Sequence, residues 1–248
     1  MSQLHKCSYT FLLLIYLLTT ISCNQSELST QKVEDISAIG ATIKVYQSPF
    51  AKNENSVVVE LFDQKRKRIS NDSLILYINT IEVTLTRRQG LYYFDESYYS
   101  AENVSVNNTF NVKIKLSDGK VHHLGTVKVL QQQSPEDIVC EEKGDLNKNT
   151  MVKWANLKEI NELSISPSER LLASEDNVTS YGYRQEVVKK ISGNGSYIYF
   201  KNDYTNSKST ISTLEFTFRT TKTGQINPKL LDKSSITVST SITKSVSF

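Results

Sequence analysis

Two of the chain's three histidines, His122 and His123, are consecutive, and they are the first place where side-chain type and spacing might do chemistry. They follow an Asp-Gly pair, Asp118-Gly119, in an alternating run that reads as a strand. Successive strand side chains point to opposite faces, so the two rings cannot ligate one metal or act together as a base and its orienter. One ring is expected partly covered and the other in solvent. The third, His5, lies among the first residues. No His-Glu-x-x-His run, Cys-x-x-Cys pair, P-loop or Gly-x-Ser-x-Gly elbow occurs. Carboxylate pairs such as Asp95-Glu96 and Glu141-Glu142 are adjacent rather than set across a cleft that would raise one pKa. The reading is non-catalytic, with no metal and no cofactor.

A second candidate is aromatic. The run LYYFDESYY, Leu91 to Tyr99, holds more Tyr and Phe than one buried strand face needs. Tyr92, Tyr93, Tyr98 and Tyr99 are therefore candidate ligand-binding residues, because an exposed ring flanked by Asp95, Glu96 and Ser97 can stack on a sugar or anchor a protein partner. The competing reading is cross-strand aromatic pairing that stiffens a hairpin. The same two readings apply to Tyr181, Tyr183, Tyr197, Tyr199 and Tyr204, with packing favoured for Tyr197 and Tyr199, whose spacing puts both on one face.

The third reactive position is Cys23. Phe11 to Leu18 is apolar except for the Tyr16 hydroxyl, too short to span a bilayer and the right length for a signal-peptide core. Residues 1–22 are accordingly read as a leader and left out of the fold. Thr20-Ile21-Ser22-Cys23 suits an ordinary signal peptidase, and it also resembles a bacterial lipobox, with Thr20 where that motif usually has Leu. In the lipobox reading the Cys23 thiol carries a diacylglyceryl group and the new amine is acylated, for instance with palmitate. Two or more chains hold a protein stably on a bilayer. The alternative is a freely secreted protein in which Cys23 is incidental.

Only Cys23 and Cys140 lie beyond the leader, so a lipidated Cys23 leaves Cys140 without a partner in the chain, and stability must come from burial. A net charge of +3 with acids and bases intermixed gives no nucleic-acid signal. The one basic run, Lys65-Arg66-Lys67-Arg68, sits between apolar runs and reads as a solvated loop tip.

What must position these residues is a β-structure. Residues 23–35 read as a flexible tether, because Asn24 to Gln31 is polar and without periodicity. Between Thr42 and Leu130 apolar residues alternate at period two, as in Val57, Val59, Leu61 and Phe110, Val112, Ile114, Leu116. About seven strands in roughly 90 residues suit an immunoglobulin or fibronectin-III sandwich over 36–131. The polar segment 132–149, with Pro135 and Gly144, reads as a linker in which Ile138-Val139-Cys140 could form a short edge strand. Alternation resumes from Met151, predicting a second sandwich over 150–248 with little helix; Leu171-Leu172-Ala173 is the only weakly helical stretch.

The leader ending in Cys23, the hairpin NTFNVKIKLSDGKVHHLGTVKV, the run MVKWANLKEINELSIS and the closing TFRTTKTGQINPKLLDKSSITVSTSITKSVSF together resemble the small two-domain all-β lipoproteins of Bacteroidota. The resemblance implies an envelope location, usually the outer membrane, with a lipid bilayer as partner through acylated Cys23. It also implies a binding or display role, for a glycan or a protein. A structural component of the envelope with no small ligand is the other expectation.

Overall fold

The computed structural model describes residues 32–89, 95–106, 108–172 and 180–248. Among them the chain is almost entirely β, with three single-turn 3-10 segments at Ile36–Ala38, Pro135–Asp137 and Lys201–Asp203. No described helix is long and apolar enough to cross a membrane. Leu171, in the stretch with weak helical character, ends a strand instead.

The first half forms β1 (Gly40–Tyr46), β2 (Asn55–Phe62), β3 (Ile75–Ile78), β4 (Ile81–Gln89), β5 (Asp95–Val104), β6 (Thr109–Lys115) and β7 (Val121–Lys128); all but β5 fall on alternating runs of the sequence. In β2 the period is literal: Val57, Val59 and Leu61 are buried while Ser56, Val58 and Glu60 are half-covered. Strand β4 turns a corner. Its first residues pair with β3, Val83 opposite Leu76, and its later ones with β5, Leu85 opposite Tyr99. The ladder thus folds into two layers over a core that includes Ile43, Val59, Leu76 and Phe110, all fully buried. Each such aliphatic or aromatic side chain contributes on the order of 2 kcal/mol. The β6–β7 turn closes with Leu116 N–H donating to the Lys120 carbonyl at 2.9 Å. Of the Asp-Gly pair only Gly119 takes a positive φ, +85°, while Asp118 accepts the Lys120 amide instead. The basic run is a turn whose amides at Lys65 and Lys67 donate to Asp63.

The second half contributes β8 (Ile138–Cys140), β9 (Thr150–Trp154), β10 (Glu162–Leu171), β11 (Tyr181–Tyr183), β12 (Val187–Lys190), β13 (Gly195–Tyr199), β14 (Ser209–Thr223), β15 (Gln225–Ile226) and β16 (Ser235–Ser247). A three-stranded sheet, β13-β9-β8, covers β10, β14 and β16. Trp154 meets Phe218 edge-on at 5.4 Å and donates its indole N–H to the Ser192 carbonyl. Tyr204 is buried, with its hydroxyl donating to Thr150 at 2.7 Å.

A clean sequential division at residues 132–149 is not what the packing displays. Strand β16 pairs with β14 from Thr237 to Ser247 and, through Ser235 to Ser239, with β1 in parallel. Its early residues Ile236 and Val238 lie in the first core, and Ile242 and Val246 in the second. Leu230 also belongs to the first core. One 13-stranded sheet, in the order β11-β10-β14-β16-β1-β2-β5-β4-β3-β6-β7-β15 with β12 beside β10, therefore runs through both halves. The cause is the length of β14 and β16, 15 and 13 residues, which at about 3.3 Å per residue outreach a single sandwich.

Candidate functional site

The outward face of this long sheet carries hydroxyls where the inward face carries the core. Along β14, Leu214, Phe216 and Phe218 point inward, and Thr213, Glu215, Thr217 and Arg219 alternate with them. Residues directly opposite in a ladder share a face, so the register extends this surface. Ser56, Tyr46, Ser239 and Thr221 form one row across β2, β1, β16 and β14. Next to it Ser241 lies opposite Arg219. The Ser/Thr-rich closing segment, read as strand from composition, supplies most of the surface.

A cleft of about 480 Å³ opens on this row. Tyr46, half-exposed at 50%, walls it, and Glu54 and Arg219 stand among its lining residues. It forms where β1 leaves the sheet: Gln47 N–H still donates to the Ser239 carbonyl at 2.8 Å, but Pro49 has no N–H to continue the ladder. Arg219 is held by Glu162, Nε to Oε1 at 2.5 Å. The hydrogen bond from Arg219, then that from Lys190, keeps the Glu162 carboxyl below its ordinary pKa. Thr240 borders the same cleft, but its side chain faces inward with Val238 and Ile242, opposite buried Thr220, so it adds no hydroxyl to the outward surface.

Farther along the same face stand Tyr181 and Tyr183, 69% and 87% exposed. They lie opposite Arg170 and Ser168 on β10. Two residues apart on a strand, they project about 6.8 Å from one another on one side. Arg184 fixes their strand by donating to Glu169 and to the Tyr204 carbonyl at 2.5 and 3.0 Å.

Cys23, Tyr92 and Tyr93 lie outside the described residues. Tyr98 is half-buried on β5, opposite Thr86. Tyr99 requires a correction: it is 1% exposed, in the first core, and its hydroxyl donates to the Asn71 carbonyl at 3.2 Å, so it offers no ring to a ligand. The strand period explains this, since Ser97, Tyr99 and Ala101 face the core together. Among the later tyrosines, Tyr197 and Tyr199 pack on Phe216 and Tyr204. His122 is half-buried, and exposed His123 bonds Thr126 through Nε2 at 2.7 Å. No group of three metal-ligating side chains occurs among the described residues. As the last residue of an alternating run, Tyr46 carries no signal in the sequence beyond its type.

No protein-family model matches the chain, and no curated protein does. Among solved structures it aligns with SGBP-B of the Bacteroides ovatus mixed-linkage glucan utilization locus, in complex with a mixed-linkage heptasaccharide. The identity is 10%, over 82% of this chain and 60% of that one, with a TM-score of 0.18. This chain thus spans less than two thirds of that protein, and a likeness at that score carries no argument about fold or ligand.

Proposed function

We propose that this protein is a non-catalytic binding module of the cell envelope, anchored through acylated Cys23, whose outward sheet face takes a glycan. The observation that carries the reading is the Tyr46 cleft. An exposed aromatic ring stands beside a cross-strand row of hydroxyls, with Glu54 and Arg219 at hand. Sugars present apolar C–H faces to rings and hydroxyls to polar groups, and both needs meet here. Tyr181 and Tyr183 extend the same chemistry along the face.

Affinity electrophoresis of the mature chain in gels containing single polysaccharides tests this. Retention by at least one neutral polysaccharide is expected, weakened about tenfold by Tyr46→Ala, as for an aromatic residue central to an interface. Retention by none, or retention indifferent to Tyr46→Ala and Tyr183→Ala alike, removes the face as a glycan site. A purely structural role would then stand in its place.

A further inference from the structure

Strand β16 has a gap on the edge opposite β14. Up to Ser239 that edge is filled by β1, and at Ser247 it is filled again, with Ser247 N–H donating to the Glu142 carbonyl at 3.0 Å and its own carbonyl accepting from Gly144 at 2.8 Å. Between them, from Ser241 to Ser245, no described strand pairs with it. The direction of the free groups follows from these bonds. In a strand the N–H and C=O of one residue point the same way and those of the next point oppositely. Ser239 and Ser247 both bond away from β14, so Ser241, Thr243 and Ser245 aim their backbone N–H and C=O groups into the gap as well. Thr243 and Ser245 are exposed along with Ser241.

The gap is roofed by a second cavity, of about 440 Å³, lined by Cys140, Glu142, Lys143, Thr243, Lys244 and Ser245. Here β16 and the edge strand of the small sheet, β8, are neighbours that form no ladder with one another. Lys244 lies in this cavity on the inward-facing side of β16, half-covered between buried Ile242 and Val246. Among the described residues no carboxylate pairs with it.

We infer that this gap is a site for β-strand addition by an extended peptide that turns an acidic side chain toward Lys244. A row of unpaired edge groups is a template for another strand, and main-chain bonds give such sites their affinity. The recess selects the occupant. It is five residues long, about 17 Å, and is closed at both ends by this chain's own backbone. The β16 edge of a second copy, recessed in the same way, cannot enter it; a single extended segment can. The half-covered, unpaired ammonium of Lys244 sets the charge. The gap adjoins the Tyr46 cleft, with which it shares Ser241, but the inference does not depend on that cleft taking a glycan.

The probes are a five-residue peptide of β-branched residues with one glutamate placed to fall opposite Lys244 and the same peptide with lysine at that position, each titrated into the full chain. Amide hydrogen exchange read by NMR reports where they bind. In the free protein the amides of Ser241, Thr243 and Ser245 should exchange much faster than those of Ile242 and Lys244, which donate to β14. The glutamate peptide should slow the first three and bind at least tenfold tighter than the lysine peptide. Lys244→Glu should reverse that preference. Thr243→Pro removes one edge donor without touching the β14 ladder and should abolish binding while the Ile242 amide stays protected. Equal protection of all five amides in the free chain would overturn the proposal. So would no protection by either peptide at millimolar concentration, or a preference that Lys244→Glu leaves unchanged.

Discussion

Arg184 donates its Nε–H to Glu169 Oε2 at 2.5 Å, directly after the exposed ring of Tyr183 in the chain. The side chains are only 19% and 15% exposed. The Arg184 guanidinium also bonds the Asp203 and Tyr204 carbonyls and the Ser209 hydroxyl, joining β11 to three other segments. A pair this covered is weak as net stabilisation but costly to break on one side. Arg184→Ala should lower the unfolding free energy by about 3 kcal/mol in urea titration. The double variant Arg184→Met, Glu169→Leu should recover much of it.

Stability should fall in acid. Hydrogen bonds from Arg184, then Ser209, hold the Glu169 carboxyl below its ordinary pKa of 4.5, and those from Arg219, then Lys190, do the same for Glu162. A carboxyl whose folded pKa is depressed binds protons more readily when unfolded. It therefore contributes its stabilisation in full above pH 4.5 and loses it as pH falls through the lower, folded value. The urea midpoint should be flat between pH 7 and 5 and drop below that, with a shallower drop in Glu169→Gln.

Tyr99 and Tyr183 should separate packing from binding. Tyr99→Ala empties a core position and should cost about 3–5 kcal/mol, seen as a lower thermal midpoint. Tyr183→Ala removes an 87% exposed ring and should change stability by less than about 0.5 kcal/mol. Weaker glycan retention in Tyr183→Ala at unchanged stability would assign that ring to the ligand.

Cys140 should be a slow thiol. Burial, then the charge of Glu141, pushes its pKa up, and the thiolate is the reactive form. Iodoacetamide labelling at pH 8 should proceed well below the rate of a free cysteine and speed up to it in urea.

In the anchored reading proposed above, Cys23 decides location. Intact-mass spectrometry of membrane-extracted protein should find Cys23 as the first residue with added acyl mass. Cys23→Ser should move the protein into the soluble fraction. A native chain starting beyond Cys23, or unmodified and soluble, would leave the secreted reading.

Much of this architecture was legible beforehand because strand periodicity is local. Val57, Val59 and Leu61, or Phe110, Val112 and Ile114, alternate only if one face is buried, and the scarcity of helix follows from the same pattern. The exposed turn at Lys65 and Arg66 and the divided fates of His122 and His123 were likewise set by neighbours in sequence, whereas Arg68, half-covered and paired with Glu60, was not. Which tyrosine meets solvent was not, since that depends on what lies across the sheet. Tyr99 ends under the Asn71 carbonyl and Tyr183 beside Ser168, contacts between residues 28 and 15 positions apart. Nor could periodicity tell that β16 runs through both cores, because Ile236, Val238 and Ile242 alternate identically whether one hydrophobic layer or two receive them. The cleft at Tyr46 and the gap at Ser241 to Ser245 exist only because Pro49 turns β1 away while β16 continues. That divergence of two strands whose paired residues lie 193 positions apart is decided by pairing in three dimensions, and no local pattern encodes it.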